Sequence, residues 1–105
     1  MLNEIAKIIE NLRLKPSDLK IYSLLLEREL SVKEIANELN LSTRFVRERL
    51  KELCKREIIS RRLVERGWIG YAYRAEDPKK VVSNIKKQLI SEIGKIEAIL
   101  GIQIS

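Results

Sequence analysis

Apolar residues recur every three or four positions through most of the chain, which is the period of an amphipathic helix. Residues 2–12 show it first, with apolar side chains at Leu2, Ile5, Ile9 and Leu12. Pro16 then disfavours the helical conformation in the residue before it. The pattern resumes over 18–29, where Ser17 is suited to cap a second helix. Its inward positions are predicted to be Leu19, Tyr22, Leu25 and Leu26.

A capping motif starts the third predicted helix. Ser31 and Glu34 have the spacing of a capping box, in which each side chain accepts a hydrogen bond from the other residue's backbone N–H. The helix extends through about Leu39, and Asn40 suits the left-handed conformation that ends a helix. A short third helix is therefore predicted immediately before the basic part of the chain.

The fourth predicted helix, about residues 42–56, separates apolar from basic side chains. Its buried face is predicted to be Val46, Leu50 and Leu53, and Arg44, Arg47, Lys51 and Lys55 fall on the opposite side. Two short helices joined by about three residues, the second basic on its outer face, form a helix-turn-helix arrangement. The second helix of such a pair is the one that enters the major groove of DNA.

After residue 56 the period changes from 3.6 to 2. Residues 58–64 and 68–74 are rich in β-branched and aromatic side chains, and Gly67 between them is free to adopt a positive φ. These features predict a hairpin over about 58–75, in the position of the wing of a winged helix. Tyr71 and Tyr73 are expected in the core.

The last predicted helix starts at the Asp77-Pro78 pair, an acidic N-cap followed by a proline at the first helical position. Its apolar stripe is longer than one small domain needs, so we expect it to be buried against a second subunit rather than against its own domain, which remains the alternative. The residues assigned to dimerisation are Val82, Ile85, Leu89, Ile93, Ile96 and Leu100.

The chain is mainly α with a small β-hairpin, and we divide it into a winged helix-turn-helix domain over 1–76 and a dimerisation helix over 77–105. Its net charge of +6 is confined to residues 42–74, which hold ten basic and four acidic residues while the remainder balances. A basic excess concentrated in one third of the chain is the electrostatic footprint of a protein that binds a polyanion.

Composition argues against several other classes of function. The chain has no histidine and one cysteine, Cys54, and it contains no phosphate-binding loop, nucleophile elbow or paired catalytic carboxylates. The sequence therefore predicts no enzyme, metal site or cofactor, and Cys54 is expected to be an inert apolar residue. No apolar run is long enough to span a bilayer and no signal peptide is evident, so a cytoplasmic protein without membrane contact is expected.

The candidate DNA contacts follow from helix position and side-chain chemistry. Arginine pairs with guanine and glutamate accepts from cytosine in the major groove, whereas the wing is suited to phosphate or the minor groove. Arg49 lies nearer the buried edge of the helix, and its aliphatic stem is expected to pack against the protein. Arg56 is expected to contact phosphate or water. Trp68 is expected either to stack on DNA or to pack on protein. The predicted DNA-binding residues are Ser42, Thr43, Arg44, Arg47, Glu48, Lys51, Lys55, Arg61, Arg62 and Arg66.

The run SVKEIANELNLSTRFVRERLKELCKREIISRRL, with the YAYRAEDPKKVVSNI segment that follows, resembles winged helix-turn-helix transcription regulators. The similarity covers about residues 17–85 and is greatest to the TrmB-type group, with the MarR and ArsR groups as relatives. It implies a homodimeric, archaeal-type regulator that binds double-stranded DNA. TrmB-type members often carry a C-terminal effector domain, which we expect to be lacking in a chain that stops at Ser105. Glu57 stands where many relatives have glycine.

Neither the sequence nor the resemblance identifies a small-molecule effector. A different class of function also remains open. The chain is alternatively a winged-helix protein-interaction module within transcription or other nucleic-acid machinery, in which Trp68 and the C-terminal stripe bind another protein.

Overall fold

The computed structural model describes residues 2–5, 7, 14–65, 67 and 69–103, and residues 2–5 and 7 are helical. Ile9 and Leu12 of the first predicted helix, and the wing residues Arg66 and Trp68, lie outside the described residues. Six elements follow in chain order: α1 (Pro16–Glu27), α2 (Val32–Leu39), α3 (Thr43–Lys55), β1 (Ile59–Glu65), β2 (Ile69–Ala75) and α4 (Pro78–Leu100). The predicted fold class is confirmed: a mainly helical winged helix-turn-helix with a two-stranded wing and a long C-terminal helix.

The predicted capping of α2 and α3 is confirmed. Ser31 Oγ accepts from the Glu34 N–H at 3.2 Å, and the Glu34 carboxylate accepts from the Ser31 N–H at 3.0 Å. Asn40 ends α2 with a φ of 54°. Ser42 Oγ then accepts from the Phe45 N–H at 3.1 Å, which starts α3. Hydrogen bonds local in sequence therefore fix the turn between the two helices.

Helix α1 begins earlier than predicted, at Pro16 instead of residue 18. Asp18 Oδ2 accepts from the Lys15 N–H at 2.8 Å, so the helix start is closed by Asp18 and not by Ser17. The prediction that Leu19 and Leu26 point inward is wrong, since both are at least half exposed. Two apolar stripes run along α1, and the stripe that includes Ile21 and Leu25 is the one buried against the rest of the core.

The core joins all six elements. Val46, Leu50 and Leu53 of α3 have no exposed surface, as their spacing predicts, and they pack with residues from both neighbouring helices and from the base of the hairpin. Helix α4 contributes Val81 to the core and packs Ile85 against it. The other members are Ile21, Leu25, Leu30, Ile35, Ala36, Ile58, Ile59 and Tyr73.

Strands β1 and β2 form an antiparallel hairpin whose register runs from Ile59 opposite Ala75 to Glu65 opposite Ile69. Leu30, between α1 and α2, extends this pairing: its N–H donates to the Tyr73 carbonyl at 3.0 Å, and the Tyr73 N–H donates to the Leu30 carbonyl at 2.7 Å. The wing is therefore joined to the loop between the first two helices of the domain.

The two wing tyrosines differ in burial. Tyr73 is buried, as predicted, but Tyr71 is 42% exposed, so its assignment to the core is wrong. The reason is position along the hairpin: Tyr73 lies where the strands cross the helices, whereas Tyr71 lies two residues closer to the tip.

Helix α4 has the predicted start, and it ends at a glycine that the sequence analysis did not single out. Asp77 Oδ1 accepts from the Lys79 N–H at 3.3 Å, Pro78 occupies the first turn, and Gly101 closes the helix with a φ of 67°. Among the described residues, no helix has the length and apolar character that crossing a membrane requires.

Candidate nucleic-acid interface

The outer face of α3 is a row of exposed basic side chains. Arg44, Arg47 and Lys51 are all exposed, and within the described part of the chain none of the three forms an ion pair. On the opposite face, the apolar side chains Val46, Leu50 and Leu53 have no exposed surface. The side chains predicted to read DNA are thus free to meet an external polyanion. Four more predicted contacts on α3 and its cap are also exposed: Ser42, Thr43, Glu48 and Lys55.

Arg49 is the exception among the arginines of α3, because it points into the protein. Its Nε and Nη2 atoms donate to Asp18 Oδ1 and Oδ2, each at 2.8 Å, and the two side chains are 9% and 1% exposed. The hydrogen bonds to this carboxylate raise the pKa of Arg49 above its ordinary value. The position near the buried edge was predicted, but this ion pair was not. It ties α3 to the start of α1 on the side opposite the basic row.

The last turn of α3 closes in an unusual backbone conformation. Glu57 has a φ of 57°, in the left-handed region where a side chain is strained, and its N–H donates to the Cys54 carbonyl at 3.0 Å. The Ile58 N–H donates to the Leu53 carbonyl at 3.0 Å, so the helix ends in the manner usually associated with glycine. The glutamate that stands in place of a common glycine thus adopts the glycine conformation.

Arg56 faces α4 and not the solvent in front of the basic row. Its Nε and Nη2 atoms both donate to Gln88 Oε1, each at 3.3 Å, and the residue is half-buried. The sequence assigned Arg56 to phosphate or water, and the structure gives it a contact within the protein. Position on the α3 face could not reveal this, since Gln88 belongs to a helix distant in sequence.

The arginines of β1 have different surroundings. The guanidinium of Arg61 stacks over the ring of Tyr71, 4.1 Å from its centroid, and the side chain is exposed. Arg62 forms a two-pronged ion pair with Glu29, at 2.6 to 2.9 Å. Arg62 is therefore engaged within the protein, whereas Arg61 is held by stacking that leaves its N–H groups available.

Cys54 lies in the last turns of α3, the helix that packs against β1. Burial of the half-buried Cys54 raises the pKa of its thiol, and the positive charge of Arg61 lowers it in part. This effect is consistent with the contacts between α3 and β1. The raised pKa also agrees with the expected inert thiol, since the thiolate is the reactive form. Within the described ranges, no cluster of cysteine and acidic residues could hold a metal ion.

The apolar residues of α4 divide between two faces. Val81 is buried toward the domain, and Ile85 and Ile96 are partly buried. Val82, Leu89, Ile93 and Leu100 lie in line on the adjacent face and are 38–65% exposed, with Ile90 beside them. The first turns of the helix thus pack on the domain through Val81 and Ile85, and an apolar stripe on the adjacent face is presented to solvent.

Residues 14–60, from the start of α1 into β1, match the family model described as winged helix-turn-helix DNA-binding. Several solved structures share the fold. A possible transcriptional regulator from Methanosarcina mazei is 21% identical with a TM-score of 0.71, over 95% of this chain and 86% of that one. The transcriptional repressor BigR from Xylella fastidiosa is 23% identical with a TM-score of 0.55, over 98% and 92%.

A third structure is the homodimeric winged helix-turn-helix DNA-binding domain of a possible ArsR-family transcriptional regulator from Mycobacterium bovis. It is 18% identical with a TM-score of 0.53, over 99% of this chain and 89% of that one. Among curated proteins, no sequence matches the chain significantly. At these identities, the likeness to the three structures is a likeness of fold.

Proposed function

We propose that this chain is a sequence-specific DNA-binding transcriptional regulator that acts in the cytoplasm as a homodimer. In this proposal α3 lies in the major groove, and the wing contacts the backbone or minor groove. The observation that carries it is the exposed row of Arg44, Arg47 and Lys51, which form no ion pair within the described residues and stand on a helix fixed by a fully buried apolar face. The family model matched by residues 14–60 supports the same function.

The wing adds charge at the end of this row. Arg61 is held over Tyr71 with its N–H groups available, on the strand that packs against α3. Arg62 is a candidate for a weaker contact, since DNA binding must compete with its ion pair to Glu29. We therefore expect Arg61 to contribute more than Arg62 to phosphate binding.

The homodimer is proposed from the apolar stripe of α4. Val82, Leu89, Ile93 and Leu100 expose a continuous face on a 23-residue helix whose first turns pack on the domain through Val81 and Ile85. Apolar faces of this kind are stabilised by burial against a second helix. A symmetric pair would place two α3 helices in successive major grooves, about 34 Å apart. The TrmB-type assignment is proposed on sequence resemblance alone.

Mobility shifts on fragments of the source genome test the DNA-binding proposal. The Arg44→Ala plus Arg47→Ala variant should bind at least about thirtyfold more weakly, since each good arginine–base pair contributes roughly 1–3 kcal/mol. The matched control, Lys20→Ala plus Lys86→Ala, removes the same charge from exposed positions on α1 and α4 and should bind within about twofold of wild type.

The salt dependence of DNA affinity reports how many phosphate contacts the protein makes. Affinity should fall steeply with salt, and the slope of log K against log salt should become shallower by about 1 for each phosphate contact removed. An arginine double variant with unchanged affinity would contradict the proposal.

The exposed stripe of α4 also fits the protein-interaction module, in which a different protein covers it. The two candidates differ in the oligomeric state of the isolated chain. A species of twice 12.2 kDa in solution favours the homodimeric regulator, and a monomer of 12.2 kDa that does not bind DNA favours the interaction module.

A further inference from the structure

Lys15 comes from outside the basic third of the chain, but the fold places it beside the start of α3. Its Nζ atom lies 5.6 Å from the centroid of the Phe45 ring, and Phe45 is the third residue of α3. Lys15 is exposed, and it forms no ion pair with the described residues. Spacing along the sequence does not connect it with α3, so it was not among the predicted DNA contacts.

The backbone of Lys15 is linked to α3 through Asp18. The Lys15 N–H donates to Asp18 Oδ2 at 2.8 Å, and the same oxygen accepts from Arg49 Nη2, also at 2.8 Å. Asp18 and Arg49 are both buried. One buried carboxylate therefore holds the start of α1 against α3, and it keeps the Lys15 side chain near the first turn of α3.

Phe45 lies on the flank of α3, between the basic row and the buried Arg49. At about 100° per residue, its side chain is rotated by about 100° from Arg44 and by about 40° from Arg49. An α-helix is about 10–12 Å across and the major groove is about 12 Å wide, so a helix in the groove turns its flanks toward the phosphates on either side. A cation above Phe45 therefore faces a phosphate when the basic row faces the bases.

Acidic residues restrict such a contact to the first turn of α3. Glu48 lies between Phe45 and the basic row, and Glu52 lies two turns beyond Phe45 on nearly the same side. Both charges would repel a phosphate placed further along this flank. The position that suits a phosphate is thus the end of α3 where Lys15 lies.

We propose that Lys15 binds a DNA phosphate at the edge of the major groove, next to the first turn of α3. This assignment deepens the proposed DNA-binding function and rests on it. Phosphate contacts fix the register and orientation of a protein on the duplex. Because Asp18 and Arg49 tie the start of α1 to α3, a phosphate bound by Lys15 also sets how α3 enters the groove.

Lys15→Gln removes the charge and retains the N–H that donates to Asp18. At about 0.1 M salt it should weaken DNA binding about three- to tenfold, and the slope of log K against log salt should become shallower by about 1. The loss should be equal for a genomic fragment that the wild type binds and for a duplex of scrambled sequence, since a phosphate carries no sequence information. Lys15→Arg, which retains the charge, should bind as the wild type does.

The matched control is Lys20→Gln. Lys20 is exposed on the same helix, on the side opposite Asp18, and its loss should change DNA affinity by less than about twofold. Both substitutions are at exposed positions, so urea denaturation should give the wild-type free energy of unfolding for each.

Replacement of single phosphates by neutral methylphosphonates locates the contact. In the wild-type complex, at least one such replacement should weaken binding by the same factor as Lys15→Gln. The same replacement should have no further effect on Lys15→Gln, because the charge that it would pair with is gone, and it should keep its full effect on Lys20→Gln. A merely structural role of Lys15 would leave the effect of the methylphosphonate unchanged.

Equal affinities and salt slopes for Lys15→Gln and Lys20→Gln would overturn the assignment of Lys15, as would a loss confined to the genomic fragment. These outcomes leave the proposed function intact if Arg44→Ala plus Arg47→Ala still weakens binding. A wild-type chain that binds neither duplex would contradict the proposed function itself. The two failures are therefore distinguishable.

Discussion

Asp18 and Arg49 form a buried, two-pronged ion pair that connects the first turn of α1 to the middle of α3. Buried charges of this kind are not a general source of stability, because desolvation opposes their attraction. Their importance lies in what happens when one partner is removed, since the other charge is then left buried without compensation. The pair thus constrains where α3 lies relative to α1.

Replacement of Asp18 by alanine should lower the free energy of unfolding by about 3–5 kcal/mol, because it leaves the Arg49 charge buried without its carboxylate. Urea denaturation followed by circular dichroism measures the change. The matched control is Glu38→Gln at the Arg28–Glu38 pair, whose side chains are about half exposed. It should cost no more than about 1 kcal/mol.

The double variant Asp18→Leu plus Arg49→Met tests whether the pair itself stabilises the fold. Well-packed apolar replacements of buried ion pairs are often neutral or stabilising. We expect the double variant to be more stable than Asp18→Ala by at least about 2 kcal/mol. Both variants lose the hydrogen bond by which Asp18 closes the start of α1, so equal stability would show that this lost cap, and not the uncompensated charge, explains the effect of Asp18→Ala.

Glu57→Gly should raise the free energy of unfolding by up to about 1 kcal/mol. The left-handed conformation at Glu57 costs a side-chain-bearing residue about 1–2 kcal/mol, and this gain is partly offset by the greater entropy of glycine in the unfolded chain. Thermal unfolding measures it. Asn40→Gly is the control, at a position with nearly the same φ where asparagine is already tolerated, and it should change stability by only a few tenths of a kcal/mol. If Glu57→Gly destabilises the protein, the strain interpretation is wrong.

Ile93→Asp should convert the proposed dimer into monomers, because Ile93 lies within the exposed stripe of α4 and a buried aspartate at a subunit interface would be desolvated without a partner. Light scattering after size-exclusion chromatography should show the mass falling to 12.2 kDa. Ser91→Asp places the same charge on the exposed side away from the stripe and should leave the mass unchanged. A wild-type chain that is already monomeric would contradict the proposed dimer.

Cys54 should react slowly with iodoacetamide at neutral pH, because burial raises the pKa of its thiol and keeps it protonated. Arg61→Ala should slow the reaction further, since Arg61 lowers this pKa. Arg62→Ala should not, since Arg62 is paired with Glu29. Mass spectrometry of timed samples gives the rates, and equal rates for the two variants would contradict the assigned role of Arg61.

The same pKa shift sets the sign of a stability effect. The thiol pKa is higher in the folded chain than in the unfolded one, so the folded state retains its proton to higher pH. The protonated Cys54 thiol therefore contributes fully to stability below the thiol pKa of the unfolded chain. This contribution is lost as the pH rises through the thiol pKa of the folded chain.

The elements could be predicted from the sequence because their signals are local. Ser31, Asn40, Ser42 and Asp77 act within three or four residues of themselves, and the change of period after residue 56 marks the hairpin directly. The exposed row on α3 also followed from helical spacing alone. For these features, neighbours in sequence are also neighbours in space.

Partnerships between distant residues could not be predicted in this way. Arg49 with Asp18, Arg62 with Glu29 and Arg56 with Gln88 each join residues more than thirty positions apart. The spacing along α1 does not say which of its apolar positions face the core: the prediction was right for Leu25 and wrong for Leu19 and Leu26. An acid at the start of α1 and an arginine near the buried edge of α3 were visible, but nothing local indicated that they meet.

The backbone pairing of Leu30 with Tyr73 has a consequence for the order of folding. Helices α1 to α3 are held by local contacts and can form early, whereas this pairing closes a loop that contains the whole helix-turn-helix. The wing should therefore reach its final position last, after α3 is in place. Within the hairpin, amide hydrogen exchange should be slowest at Tyr73, whose N–H donates to the Leu30 carbonyl. Exchange should become progressively faster toward the tip of the hairpin. A nascent chain would thus present its basic helix before the wing is docked against the domain.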